Sequence, residues 1–190
     1  MNTYDFDKTI YINDSSVDFF FYCMKKYPAA ILKTLPRIAG EGIKYLFNAC
    51  DFPELKETMF SYLQYIPDAA QAVDKFWDEK WGGIGQWYLN RRRDDDIIIS
   101  ASPEFIVCPA GRRLGVEVIA TKMDEKTGKL LGKNCHDEEK VRRFFEAHPN
   151  GVTEEFYSDS DHDTPMAKLA KKAFKVKRGS VREWVFAANG

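Results

Sequence analysis

The sequence lacks long apolar runs, closely spaced cysteines and an excess of charge of either sign. Its 190 residues include 28 Lys and Arg against 29 Asp and Glu, which gives a formal net charge of −1. A chain with this balance has no global attraction for nucleic acid or for an anionic membrane. We therefore expect no nucleic-acid partner.

Cysteine patterns that would indicate disulfides or zinc are also absent. The four cysteines are widely spaced, at Cys23, Cys50, Cys108 and Cys135. They form no Cys-x-x-Cys pair, and the first seven residues lack the apolar run of a secretory signal. A reducing cytoplasm is the natural expectation. Zinc ligation by Cys135 and His136 would need partners, and His148 and His162 supply no recognised spacing.

What the sequence does contain is enough apolar residues, 44% of the chain, to bury one core or a core with a smaller insertion. Residues 14–82 show helical periodicity throughout. Within them, Pro36, Gly40 and Gly42 interrupt residues 29–49, which predicts two short helices or one broken helix there.

After residue 83 the pattern changes to alternating strands and helices. Residues 97–100, Ile-Ile-Ile-Ser, are typical of a parallel strand buried on both faces. In chain order we predict further strands at 115–123, 129–133, 154–158 and around 174–176, with helices at 138–147, after 163 and at 181–187. This alternation predicts an α/β fold with a mainly parallel sheet and a helical insertion after the first strand.

Two aspartates two residues apart, Asp5 and Asp7, stand where the first strand should end. Side chains at this spacing share a face of a strand, so both carboxylates can point into one small volume. Carboxylates that close repel each other unless a cation or a shared proton offsets the repulsion. The pair therefore suits a magnesium ion together with acid-base chemistry.

Three further polar clusters fall at or near the carboxyl ends of predicted strands, where such sheets bind ligands. Ser100 and the backbone of Ala101 can hold a phosphoryl oxygen. Lys140 offers an ammonium that can neutralise a carboxylate and a phosphate together. Asp159 and Asp163 form a second acidic pair.

The order of these clusters resembles the haloacid dehalogenase (HAD)-type phosphatases, in the branch like phosphoserine phosphatase. Residues 5–9, Asp-Phe-Asp-Lys-Thr, are similar to the first motif of the family, with lysine where glycine is commoner. Residues 97–100 resemble the second motif, Lys140 falls where the third motif has its lysine, and Asp159 and Asp163 match the acidic pair of the fourth. Parts of the chain also resemble bacterial phosphatidylglycerophosphate phosphatases of this fold.

The resemblance implies a HAD-like Rossmannoid three-layer core with a mainly parallel sheet. It also implies a helical cap of the C1 type after the first strand. On this basis residues 1–13 and 83–190 form the core domain, and residues 14–82 form the cap domain.

The resemblance also implies a mechanism. Asp5 would be the nucleophile that forms an aspartyl-phosphate, and Asp7 would exchange protons with the leaving group and with water. Mg²⁺ would be held by Asp5, the backbone carbonyl of Asp7 and Asp159, with Asp163 supporting the metal site.

Lys140, Ser100 and Ala101 would bind the transferring phosphate. The expected activity is magnesium-dependent hydrolysis of a small or lipid-linked phosphomonoester. Transfer of the phosphate to another hydroxyl, as in a mutase, and a non-catalytic phosphate-binding role stay open as alternatives. The charges within residues 29–49 are too many for a membrane span, although a helix lying at a membrane surface stays open.

Several of these residues have simpler interpretations. Lys140 could instead pair with Asp137 on a solvated helix face, and Lys133 competes with it for the role of the phosphate-binding lysine. Ser102 could cap the helix that follows it or contact phosphate. We expect Asp161 and His162 to be exposed loop residues.

Overall fold

The computed structural model describes residues 1–186, which form an α/β fold as the sequence predicted. The strands are β1 (Thr3–Tyr4), β2 (Ile97–Pro103), β3 (Glu117–Thr121), β4 (Glu155–Ser158), β5 (Lys172–Lys177) and β6 (Ser180–Glu183). The α-helices are α1 (Ser15–Lys26), α2 (Pro28–Leu46), α3 (Phe52–Phe60), α4 (Ala69–Lys80), α5 (Gln86–Leu89), α6 (Glu104–Leu114), α7 (Glu138–Ala147) and α8 (Thr164–Leu169). Short 3₁₀ turns lie at Ser61–Tyr65, Trp81–Gly83 and Asp161–Asp163.

The strands form one sheet in the order β3-β2-β1-β4-β5-β6. Every neighbouring pair is parallel except β5 and β6, which are antiparallel. The prediction of a mainly parallel sheet is therefore confirmed. Parallel neighbours require crossover connections, which the alternating helices provide.

The register of the central strands decides which side chains meet. Tyr4 of β1 lies opposite Ile98 of β2 on one side and opposite Tyr157 of β4 on the other. Residues just after these positions therefore emerge at the same edge of the sheet. This edge carries Asp5, Ser100 and Asp159.

Helices α1 to α4 form the predicted helical insertion after β1, and three of them begin at an aspartate cap. The side chains of Asp14, Asp51 and Asp68 each accept a backbone N–H of the first turn. Such caps satisfy donors that the helix itself leaves free. The sequence therefore indicates the insertion through these capping residues as well as through helical periodicity.

The prediction of a break within residues 29–49 was wrong. Residues 28–46 form one continuous helix with Pro36 inside it. The proline removes one backbone hydrogen bond, while the hydroxyl of Thr34 donates to the carbonyls of Ala30 and Ile31 in the turn before it. The side chains of Ala30, Ile31 and Thr34 are buried, so packing stabilises a helix that local propensity disfavours.

A strand at residues 129–133 was also predicted wrongly. The segment turns back after β3 as expected, with Gly128 in the left-handed region at φ +74°. It then makes a single antiparallel bridge, between Leu130 and Met123. The Leu130 N–H donates to Glu57 of α3, so the segment serves as a contact with the insertion.

The prediction of a helix at residues 181–187 was wrong for the part that the structure describes, because residues 180–183 form β6. Arg178 and Gly179 both have positive φ, at +51° and +78°. Two such residues form the tight turn that matches the twist of a hairpin. β6 therefore pairs back onto β5, and Ala187 lies outside the described residues.

The insertion and the sheet share one continuous apolar cluster. It contains Phe19 of α1, Phe76 and Trp77 of α4, and Ile106 of α6, all fully buried. The indole N–H of Trp77 also donates to the carbonyl of Ile106 at 2.7 Å. The division into a core domain and a cap domain at residues 14–82 stays a prediction.

Helix α2 carries apolar side chains on its solvent side. Leu32, Leu35, Ile43 and Leu46 recur along one face and are exposed. None of the helices within residues 1–186 has the length and apolar character needed to cross a membrane.

Helix α7 is fastened to the sheet by a buried arginine, Arg143. Its Nη1 donates to the carbonyl of Ala120 in β3, and its Nη2 donates to the carbonyl of Lys133. Its Nε donates to the carboxylate of Glu139 at 2.9 Å. This anchoring positions the helix that carries Lys140.

We predict that Arg143→Ala lowers the free energy of unfolding by about 3 kcal/mol, because Glu139 and two carbonyls lose a buried partner. The matched control is Arg142→Ala. Arg142 also contacts Glu139 but is exposed, so its removal should leave stability nearly unchanged. Chemical denaturation measures both. Equal losses in the two variants would contradict this anchoring role.

Candidate active site

Asp5 lies directly after β1 and is buried. Its backbone N–H donates to the carbonyl of Tyr157 in β4, which fixes the main chain between the two central strands. Its Oδ1 accepts a hydrogen bond from Lys140 Nζ at 2.7 Å, and its Oδ2 faces the Thr9 hydroxyl at 3.4 Å. One carboxylate oxygen is thus held tightly and the other only weakly.

Lys140 is 1% exposed and joins two carboxylates. Its Nζ lies 2.7 Å from Asp5 and 2.7 Å from Asp163. Asp163 also accepts a hydrogen bond from the Ser158 hydroxyl at 2.6 Å. The ammonium does not pair with the Asp137 carboxylate, and the competing candidate Lys133 is exposed.

Burial alone would lower the pKa of Lys140. The carboxylates of Asp5 and Asp163 more than offset this, so its pKa is raised and the side chain stays charged.

The site carries more negative than positive charge. Burial raises the pKa of Asp5, and Asp163 and Asp7 add to this effect while Lys140 opposes it. Burial likewise raises the pKa of Asp159, which follows β4 on the strand next to Asp5. Carboxylates on adjacent strand ends suit a hard divalent cation with oxygen ligands, and the Lys140 ammonium is shared by Asp5 and Asp163 and does not contact Asp159. The donor set therefore fits Mg²⁺.

Asp7 points toward the insertion and is held by two serines. Its Oδ1 accepts the backbone N–H of Ser15 at 2.7 Å, and its Oδ2 accepts the hydroxyl of Ser102 at 2.5 Å. The Ser102 hydroxyl also lies 2.9 Å from that of Ser16. Ser102 therefore links Asp7 to α1, a role that neither of its two sequence interpretations included.

Burial raises the pKa of Asp7 to about 6, with a further contribution from Asp14 that the serine hydrogen bonds oppose. A carboxyl group with a pKa near the working pH can both give and take a proton. The two aspartates of the first motif thus have different surroundings. Asp5 is held by a cation and Asp7 by neutral donors.

The end of β2 supplies the remaining predicted residues. Ser100 is buried, and its Oγ accepts the backbone N–H of Ser102 at 3.1 Å. The carbonyl of Ala101 accepts a hydrogen bond from the Thr121 hydroxyl at 2.7 Å. The same carbonyl accepts one from Lys56, a residue that sequence reasoning did not identify.

Lys56 lies on α3 in the insertion and reaches the end of the sheet. Its Nζ donates to the Ala101 carbonyl at 2.7 Å and to Asn134 Oδ1 at 2.6 Å. No local signal in the sequence marked this residue. Lys56 stands four residues from both Phe52 and Phe60 on one row of the helix, but Phe60 is buried and Phe52 is exposed, so the row is not a uniformly buried face.

The partners of Lys56 are neutral, although the ammonium is buried. Burial lowers its pKa to about 8, and the carboxylate of Asp7 opposes the shift. Keeping the Lys56 ammonium charged in this buried position therefore lowers the stability of the fold.

Comparisons with known proteins find relatives over most of the chain. A sequence model described as haloacid dehalogenase-like hydrolase matches residues 3–168. The protein CicA of Caulobacter vibrioides is 26% identical over an alignment that covers 93% of this chain and 86% of that protein.

Solved structures share the fold. A protein of unknown function from Bordetella pertussis Tohama I superposes with a TM-score of 0.73 at 20% identity, covering 91% of this chain and 87% of that one. A substrate-bound phosphoserine phosphatase complex gives a TM-score of 0.55 at 16% identity, covering 90% and 82%.

We predict that Lys56→Met changes the pH dependence of stability. Because folding lowers the pKa of Lys56 from 10.5 to about 8, the unfolded chain binds more protons between these values. Stability of the parent should therefore rise with pH across that window. The variant should lack this rise, and denaturation at pH 7 and pH 10 measures the difference.

Removing the charge should not itself unfold the protein. The Thr121 hydroxyl lies within hydrogen-bond distance of both the Ala101 carbonyl and Asn134 Oδ1, so its single proton stays available to one of the two acceptors in the variant. Lys44→Met is the control, since Lys44 is exposed beside Glu41. An identical pH dependence in the parent and the Lys56→Met variant would contradict the lowered pKa.

Proposed function

We propose that this chain, which belongs to the haloacid dehalogenase-like hydrolases, is a magnesium-dependent phosphomonoesterase that works through an aspartyl-phosphate on Asp5. The observation that carries the proposal is the buried Asp5 carboxylate, held by Lys140 on one oxygen and nearly free on the other. A buried carboxylate with one free oxygen suits a nucleophile better than a structural ion pair.

In the first step the free Oδ2 of Asp5 attacks phosphorus, and the bond from phosphorus to the leaving oxygen breaks. Asp7, whose pKa of about 6 keeps a fraction protonated near neutral pH, gives its proton to that oxygen. In the second step Asp7 takes a proton from water, which attacks phosphorus and frees Asp5. Phosphate leaves, and both side chains return to their starting states.

Charge on the transferring phosphate needs compensation throughout. Lys140 supplies one fixed positive charge, and Ser100 with the backbone of Ala101 supplies hydrogen-bonding groups at the end of β2. Mg²⁺, held by Asp5, the Asp7 backbone carbonyl and Asp159, would screen the phosphate from the surrounding carboxylates when bound. Asp163 keeps Lys140 in position through its 2.7 Å contact.

Access to the site requires movement, because Ser15, Ser16 and Lys56 of the insertion contact its edges. We infer that the insertion closes over bound substrate and selects it. Lys56 adds a positive charge on that side, which favours substrates carrying negative charge near the phosphate.

The exposed face of α2 supports the lipid-linked part of the proposed substrate range. Basic residues, Lys33, Arg37 and Lys44, flank its apolar stripe. An apolar stripe beside basic residues is typical of helices that lie at an anionic membrane surface. A substrate screen should therefore include phosphorylated lipids in vesicles as well as sugar and amino-acid phosphates. Product analysis in that screen separates hydrolysis from phosphate transfer.

We predict that Asp5→Asn lowers magnesium-dependent hydrolysis of an aryl phosphate by at least about 1,000-fold, because the amide is a poor nucleophile. The fold should survive, since asparagine keeps the shape of the side chain. Steady-state kinetics and circular dichroism measure the two effects.

The matched control for this variant is Asp161→Asn. Asp161 lies in the loop beside Asp159 but is exposed and pairs with Lys175, so its variant should keep activity within about threefold of the parent. An Asp5→Asn variant as active as Asp161→Asn would exclude the nucleophilic role.

We also predict that activity requires Mg²⁺ and that Ca²⁺ inhibits it. Calcium prefers more ligands at longer distances than magnesium, so it would misplace the phosphate relative to Asp5. Activity of chelator-treated protein should return with Mg²⁺ and fall when Ca²⁺ is added in excess. Full activity in excess chelator would contradict the metal requirement.

A further inference from the structure

Two histidines that are 26 positions apart in the sequence meet at one aspartate beside the active site. His136 Nδ1 lies 2.7 Å from one oxygen of Asp137, and His162 Nδ1 lies 3.7 Å from the other. The two imidazole rings are 4.8 Å apart between centroids. One ligand atom from each residue falls within 4.8 Å of the other two.

The carboxylate of Asp137 is directed to the histidines and not to the helix it precedes. Asp137 stands at the N-terminal boundary of α7, but its side chain makes no capping hydrogen bond. Its backbone has φ +49° and ψ −128°, which side-chain-bearing residues rarely adopt. This backbone turns His136 and Asp137 toward the loop that holds His162.

We propose that His136, Asp137 and His162 form a binding site for a transition-metal ion of the zinc type. Two imidazole nitrogens and one carboxylate oxygen are a ligand set that zinc accepts, with the fourth position left to water or another small ligand. Imidazole favours zinc over magnesium, which prefers oxygen ligands. The site is therefore distinct in chemistry from the carboxylate site at Asp5 and Asp159.

The position of this site gives it a consequence for catalysis. His136 and Asp137 come just before α7, which carries Lys140, and His162 stands next to Asp163. A bound ion would join the two segments that hold the buried contact between Lys140 and Asp163. We infer that zinc at this site restrains both segments and lowers turnover, an effect that rests on the proposed phosphatase activity.

The direct test is metal binding, which does not depend on activity. The intact protein, saturated with Mg²⁺, is titrated with Zn²⁺ by calorimetry, and with Co²⁺ while its visible absorption is followed. We expect one Zn²⁺ per chain, and an absorption band of Co²⁺ bound by nitrogen and oxygen. His136→Asn and His162→Asn, tested separately, should each weaken binding at least about tenfold.

Three further variants serve as controls. The remaining histidine, His148, follows the C-terminal end of α7 and contacts Glu117 of β3. The His148→Asn variant should bind zinc as the parent does. Cys50→Ser removes the sulfur from a second group of nearby ligands, Glu41, Cys50 and Glu54, and should also bind normally. Asp5→Asn checks that the ion is not held by the active-site carboxylates.

The outcomes separate the hypotheses. Zinc binding that survives in both the His136 and His162 variants, or is lost with Cys50 or Asp5, would overturn the proposed site. Absence of stoichiometric binding in the parent would do the same. If binding is lost as expected but zinc inhibits the parent and the His162→Asn variant equally, the metal site stands and the inferred restraint on catalysis is wrong. An inactive parent would leave the binding result intact and contradict the proposed function instead.

Discussion

The buried ammonium of Lys140 is the interaction on which the active site depends. It joins Asp5 at the end of β1 to Asp163 in the turn after β4, at 2.7 Å each. Neither carboxylate could stay charged at such depth without a cation, because an unpaired buried charge costs several kcal/mol. Helix α7 must therefore dock in one register, and the hydrogen bond from Arg143 to Ala120 of β3 holds it there. The contacts of Lys140 Nζ therefore depend on the turn after β4, on the strand order and on the position of α7.

The helical insertion takes part in the site in two different ways. Helices α1 and α4 share the apolar cluster of the sheet, and Trp77 is hydrogen-bonded to α6. From α1, Ser15 and Ser16 reach Asp7 and Ser102. Helix α3 belongs to the same apolar cluster through Phe60, and it adds Lys56, whose buried charge has neutral partners. Apolar packing therefore joins the insertion to the sheet, and polar contacts join it to the edge of the site.

The sequence allowed the sheet and the central residues of the site to be predicted, but not the contacts between distant segments. Asp5 and Asp7 could be singled out because they form an acidic pair at the predicted end of the first strand, whereas Lys140 was singled out by its place in the order of motifs that resembles the HAD-type phosphatases. Lys56 could not be placed, since nothing local indicates that its helix folds over the end of β2. The errors in α2 and β6 have different causes. Packing of Thr34 and its neighbours stabilised a helix across Pro36, and the hairpin at Arg178 turned an apparent helix into a strand.

The two aspartates of the first motif show how position sets the surroundings of a side chain. They are two residues apart, yet Asp5 faces a fixed ammonium and Asp7 faces hydroxyl and amide donors. Burial raises the pKa of both groups, Lys140 opposes the rise at Asp5, and the serine donors oppose it at Asp7. The two carboxylates therefore differ in what holds them. The backbone hydrogen bond from Asp5 to Tyr157 maintains this difference, because it fixes which aspartate is at the strand end and which is turned toward the insertion.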